Sequence, residues 1–214
     1  MVPHRIIPEY LSKDECKELI EWYKLQTPNR VPIGRKNFDT EQKVTEQGLE
    51  QTRINRLDYG YDPKIANFWE YYLPANHWFK NRLEMYMDKV SVVDDRDIKS
   101  SWGPKVSSYD VGGHFVWHSD KDTDYDLYTV TIQLNNEYLG GEFELGIDHT
   151  GRKSVVQQEI YDIWSDLDKI ETFDTLEKKV GTMIIYDSGQ WHRVTPVTKG
   201  TRYCALAWFY GNKR

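Results

Sequence analysis

The chain has 214 residues, of which 39% are apolar, and a mean hydropathy of −0.74; its 15 Tyr, 8 Trp and 7 Phe still supply large buriable faces and exclude disorder for most of its length. Thirty-four acidic residues against 28 basic ones leave a net charge of −6, the wrong sign for general attraction to nucleic acid or anionic lipid. No apolar run approaches the roughly 18–20 residues of a membrane span, the opening Met1-Val2-Pro3-His4-Arg5 lacks the apolar stretch of a signal peptide, and two cysteines provide neither a disulfide framework nor a cysteine zinc site. A single cytoplasmic domain with no nucleic-acid or membrane partner is the expectation.

Ser12-Lys13-Asp14-Glu15 forms a capping box, and Cys16, Leu19, Ile20 and Tyr23 follow at helical spacing, so a helix is predicted over 13–26, stopped by Thr27-Pro28. Residues 29–63 mix Pro, Gly and charges of both signs with weak periodicity, which suits short strands or a mobile flap. Over 64–89, Ile65, Phe68, Trp69, Tyr72, Trp78, Phe79, Leu83 and Tyr86 show helical spacing broken near Pro74, predicting two packed helices. After Asp97, aromatic and β-branched residues alternate with polar ones between Gly and Asp turns, and strands are predicted near 98–109, 114–118, 127–135, 141–146, 181–186, 191–196 and 201–210. The pattern is α+β: one domain over 1–214, with helical support in 1–97 and a β-core in 98–214. Residues 148–179 form an acidic excursion between two strands, either a lid or a surface elaboration.

Of six histidines, two share the features of a metal site: His118 in Trp117-His118-Ser119-Asp120, and His192 in Gln190-Trp191-His192-Arg193. Residues i and i+2 of a strand share a face, so His118 and Asp120 can converge on one ion while a later histidine completes a set of three. Two imidazoles and a carboxylate on one side of an ion suit non-haem Fe(II), leaving coordination positions open for a co-substrate and dioxygen. The tripeptide alone reads equally well as an exposed pair at a strand end. Arg202 lies on a strand whose Arg202, Cys204, Leu206 and Trp208 face one way; an inward guanidinium needs an anionic partner, and that partner can be a ligand.

The segment Tyr109-Asp110-Val111-Gly112-Gly113-His114-Phe115-Val116-Trp117-His118-Ser119-Asp120 resembles the Fe(II)- and 2-oxoglutarate-dependent dioxygenases, and within them the prolyl 4-hydroxylase-like branch. So do Thr129 to Asn135, Gly140-Gly141-Glu142-Phe143, His192-Arg193-Val194-Thr195-Pro196-Val197, and Gly200-Thr201-Arg202-Tyr203 followed by Trp208. The resemblance implies a double-stranded β-helix, a distorted jelly roll, with supporting amino-terminal helices. It implies Fe(II) on His118, Asp120 and His192, the distal carboxylate of 2-oxoglutarate on Arg202, and Tyr109 donating a hydrogen bond to the same co-substrate. Thr129, Thr131 and Gln133 would line the pocket with Trp208; Gln133 stands where some members place a tyrosine. The implied enzyme consumes O2 and 2-oxoglutarate, releases succinate and CO2, uses ascorbate as an auxiliary, and hydroxylates a prolyl residue of a peptide or protein. Segment 30–62 would take the place of the loop that closes over such peptides.

Other readings remain beside it. A hydroxylase of a free amino acid or another small molecule needs the same iron and co-substrate residues, and a metal- or peptide-binding module without turnover is the alternative of another class. His4, His77 and His149 read as structural or surface histidines, and His114 as a neighbour of the site. The run Asp120, Asp122, Asp124, Asp126 is no EF-hand, because Tyr125 and Thr131 stand at its sixth and twelfth positions. Trp117, Trp191 and Trp208 suit core packing better than a substrate cage. The acidic residues of 148–179 suggest a preference for cationic peptides.

Overall fold

A computed structural model describes residues 4–30, 68–93, 97–120, 125–146 and 173–212. All of the flap expected over 30–62 except Arg30, and most of the acidic excursion, with His149, lie outside the described residues, as do Asp122 and Asp124. The first helix, α1 (Lys13–Lys24), starts as its capping box dictates: the Ser12 hydroxyl accepts from the Glu15 backbone N–H at 3.2 Å and the Glu15 carboxylate accepts from the Ser12 N–H at 2.8 Å. Its buried face is Cys16, Leu19 and Tyr23. The second helix, α2 (Trp78–Val93), follows the turn after Pro74.

The strands are β1 (Arg5–Ile7), β2 (Asn29–Arg30), β3 (Phe68–Tyr72), β4 (Asp97–Tyr109), β5 (Phe115–His118), β6 (Asp126–Gln133), β7 (Leu139–Gly140), β8 (Phe143–Gly146), β9 (Phe173–Leu176), β10 (Met183–Asp187), β11 (Trp191–Val194), β12 (Val197–Lys199) and β13 (Arg202–Asn212). They form a seven-stranded sheet in the order β1-β10-β6-β13-β4-β3-β2, a four-stranded sheet β5-β11-β8-β9, and the pair β12-β7, every pairing antiparallel. Two expectations are corrected. Phe68–Tyr72 is a strand, not a helix: its aromatic residues are good strand formers, and pairing with β4 satisfies a backbone that a five-residue helix could not. Residues 173–176 are not part of an excursion but complete the smaller sheet beside β8.

Strand alternation divides the interior in two. On β13, Ala205, Ala207 and Phe209 face the helices and pack with Leu19 and Tyr23 of α1 and Phe79, Leu83 and Met87 of α2. The opposite face turns Cys204 towards Tyr109, Ile184, Tyr186, Phe143, Leu145 and Val194, the core between the two sheets. Helices on the outside of one sheet, with a second sheet against its inside, make an α+β domain with a double-stranded β-helix core. No helix among the described residues is long and apolar enough to cross a membrane.

Candidate metal centre and co-substrate pocket

His118 and His192 are direct cross-strand partners on β5 and β11, so their side chains share the inner face, with ring centroids 4.0 Å apart. Asp120 lies just beyond β5, its backbone N–H donating to the Ser188 carbonyl at 2.9 Å. Its two carboxylate oxygens reach His118 Nε2 at 3.6 Å and His192 Nε2 at 3.4 Å. One ligand atom from each of the three residues lies within 4.8 Å of the others, a set that could hold a metal ion. His192 Nδ1 lies 3.0 Å from the Gln190 carbonyl oxygen, which can only accept; the proton therefore sits on Nδ1 and the Nε2 lone pair points into the site.

Burial pushes the Asp120 carboxyl pKa up, but His192 and His118, with hydrogen bonds from the Trp208 side chain and the Thr129 hydroxyl, outweigh it and hold it below the usual aspartate value. The Thr129 bond is 2.9 Å long. Two N donors and one O donor on one side of a small volume, with Asp120 and His192 fixed from behind, fit an octahedral Fe(II) with open positions.

Arg202 pairs with Tyr109 across β13 and β4 and is 2% exposed, with its guanidinium carbon 5.0 Å from the centre of the Tyr109 ring. Its Nη1 donates to Cys204 Sγ at 3.2 Å, and the guanidinium also donates to the Tyr138 hydroxyl. Arg202 Nε and the Tyr186 hydroxyl are buried polar atoms with no hydrogen-bond partner. An arginine kept charged in the core, beside an unanswered phenol, fits a carboxylate co-substrate. Burial pushes the Tyr109 and Tyr186 phenols well above the usual tyrosine range, so both remain O–H donors. The Tyr186 ring centre lies 5.0 Å from that of His192, and the charges of Asp120 and Arg202 both act on each phenol.

Thr129, Thr131 and Gln133 are buried on β6 opposite Trp208, Leu206 and Cys204 of β13. Gln133 Nε2 donates to the Tyr138 hydroxyl at 2.7 Å and to the Asn135 carbonyl oxygen. His114 stays outside the triad, its Nδ1 2.8 Å from the Gly112 carbonyl oxygen. Gly141 keeps this end of the pocket open: its φ is +63°, and a Cβ there would lie 3.2 Å from Arg202 Cδ and 2.9 Å from Val197 Cγ2.

Sequence reasoning missed Tyr138, Tyr186, Glu70 and Lys105. Tyr186 was findable from the alternation of β10, and Lys105 from its place four before Tyr109 on the same strand face. Tyr138 sits in a loop, where no periodicity marks its direction, and Glu70 lies in the segment read as helix.

The family model of the 2OG-Fe(II) oxygenase superfamily matches residues 104–210, half of the chain. A PKHD-type hydroxylase of Phenylobacterium zucineum (strain HLK1) is 35% identical over 94 residues, covering 35% of this chain and 41% of that relative's length. The fold resembles a Pseudomonas putida prolyl-4-hydroxylase (TM-score 0.60, 12% identity, 98% of this chain and 93% of that one). It also resembles a Trichoplax adhaerens prolyl hydroxylase in complex with a hypoxia inducible factor peptide fragment (TM-score 0.60, 13% identity, 97% and 83%). A third likeness is to a viral collagen prolyl hydroxylase from Paramecium Bursaria Chlorella virus-1 (TM-score 0.56, 17% identity, 98% and 96%). The matched span opens one residue before Lys105 and closes two after Trp208, taking in both histidines, Asp120 and Arg202, and the chain belongs to the 2OG-Fe(II) oxygenase superfamily, enzymes that use Fe(II), 2-oxoglutarate and O2.

Proposed function

We infer that the chain hydroxylates a C–H bond of a prolyl residue in a peptide or protein and releases succinate and CO2. In this reading His118, Asp120 and His192 hold Fe(II), and Arg202 holds the distal carboxylate of 2-oxoglutarate. The observation that carries it is the pairing of the triad with a buried arginine whose Nε is unanswered, both on the inner face between the sheets. When bound, the ion supplies dioxygen activation coupled to decarboxylation of the co-substrate. The protein's part is placement: Tyr109 and Tyr186 donate to the co-substrate, Gln133 fixes Tyr138 against Arg202, and the buried Thr131, opposite the half-buried Leu206, lines the pocket. The prolyl-hydroxylase folds nearby in structure space support the peptide substrate, which is therefore an analogy to be tested. The whole chain acting as one cytoplasmic domain, and ascorbate as an auxiliary, complete the reading.

The test is succinate formation from 2-oxoglutarate under air, with and without Fe(II), in wild type and His118→Ala, repeated with a panel of proline peptides. Iron-dependent succinate that disappears in the variant, with one peptide gaining the mass of an oxygen atom, is the expected outcome. Activity retained in His118→Ala overturns the metal assignment, and a panel without a product overturns the peptide substrate.

A further inference from the structure

On the inner face of the seven-stranded sheet, a charged pair serves no purpose in the chemistry described so far. Glu70 of β3 and Lys105 of β4 form an ion pair with side chains only 13% and 11% exposed. The Lys105 ammonium lies 5.0 Å from the ring centre of Trp208 and 5.5 Å from that of Tyr72. Trp208 in turn donates to Asp120, so one indole separates this ammonium from a metal ligand. Phe68 pairs with Tyr109 and Glu70 with Ser107 across β3 and β4, so Glu70 shares the inner face with the tyrosine assigned to the co-substrate. The Tyr72 hydroxyl donates to Glu70, and burial with that bond pushes its pKa up to about 12.

The hydrogen-bond capacities are unequal. An ammonium has three donors and no acceptor, and among the described residues Glu70 is the acceptor Lys105 meets. Glu70 by contrast already receives from both Lys105 and Tyr72. A substrate that closes this wall against water must therefore bring an acceptor for Lys105, because a desolvated donor left unanswered is costly. The acceptor is best neutral. In a loaded site the positive charge of Fe(II), Arg202 and Lys105 matches the negative charge of Asp120, Glu70 and the two carboxylates of 2-oxoglutarate, so a further carboxylate would be unbalanced at low dielectric.

We propose that Lys105, held by Glu70 between Trp208 and Tyr72, is the substrate-recognition group and takes a backbone carbonyl oxygen of a peptide. This rests on the peptide reading above and deepens it, selecting an amide-flanked residue over a free amino acid.

The probes are acetyl-Ala-Pro-Gly-amide and free L-proline, with acetyl-Ala-Pro-OH beside acetyl-Ala-Pro-amide. The charge-neutral double variant Glu70→Gln/Lys105→Met removes the donors without stranding a charge. It is expected to raise KM for the capped peptide about tenfold or more while kcat falls less than about threefold. Peptide binding to the Zn(II)- and 2-oxoglutarate-loaded protein, followed by tryptophan fluorescence, should weaken by the same factor, with Zn(II) affinity unchanged. Glu70→Gln alone leaves Lys105 as an unbalanced cation and should improve the acid-terminated dipeptide over its amide by about tenfold; it keeps the shape of the site and serves where the double variant does not fold. Unchanged peptide affinity in the double variant, or an unchanged acid-to-amide ratio in Glu70→Gln, overturns the proposal and leaves the peptide reading standing. Zn(II) affinity falling in step with KM also overturns it, since the pair would then position Asp120 through Trp208. L-proline used in preference to the capped peptide brings down the peptide reading itself, and this proposal with it.

Discussion

Arg202 is surrounded by groups that cannot neutralise it: a thiol at 3.2 Å, the Tyr109 ring, and the Tyr138 hydroxyl that Gln133 holds at 2.7 Å. Burial works against the charged form, yet Cys204, Tyr138 and Tyr109 keep its pKa above the ordinary arginine value. Tyr138→Phe removes the one hydroxyl here that is tied to both Gln133 and Arg202, and is expected to raise KM for 2-oxoglutarate about tenfold with iron affinity unchanged, measured by succinate kinetics and metal titration. The division of labour at this site was partly legible in the residues. His118, His192 and Arg202 lie on strands, where a period of two fixes the face of each side chain, and Asp120 follows two residues past the end of β5. Tyr138 was illegible because it sits in a loop, and its direction is set by Gln133 and Gly141, contacts that exist only after the sheets close.

The elements themselves followed from local chemistry wherever one rule acted alone. The Ser12 capping box started α1 and alternation after Asp97 marked the β-core strands, but Phe68–Tyr72 obeyed its neighbour β4 against its own helical spacing. The capping box also carries a pH dependence. The Ser12 N–H bond, more than the nearby Arg82, holds the Glu15 pKa below its ordinary 4.5. A depressed acid stabilises the folded state above its unfolded pKa, and that contribution is lost as pH falls through the folded value. Glu15→Gln should therefore lower the melting temperature at pH 7 and leave it nearly unchanged once the wild-type carboxylate is protonated, as seen in melts along a descending pH series. Gly103 sits where β4 and β13 shift register, with φ +59° and a notional Cβ 3.0 Å from the Trp208 ring and 3.2 Å from Tyr72. Gly103→Ala is expected to cost about 1–3 kcal/mol by denaturant unfolding and to displace Trp208, which a changed fluorescence maximum would report.

At the scale of the whole molecule, the triad does not belong to one sheet. His118 and His192 come from the four-stranded sheet, while Asp120 is steadied by Thr129 and Trp208 of the seven-stranded one. The space between is filled by Tyr109, Phe143, Leu145, Ile184 and Tyr186, a mostly apolar layer whose Phe143 and Tyr186 rings border His192 of the triad. An ion gripped there would work as a clasp across the two layers, adding to the packing and to the hydrogen bonds that Thr129 and Trp208 give Asp120. Ligand binding to the folded state alone stabilises it by about 2.7 kcal/mol at a hundredfold excess over Kd, so chelation should lower the melting temperature and Fe(II) or Zn(II) should restore it, with no such response in His192→Ala. Thermal tolerance thus becomes a gauge of iron loading, and chains starved of iron would be the first to unfold.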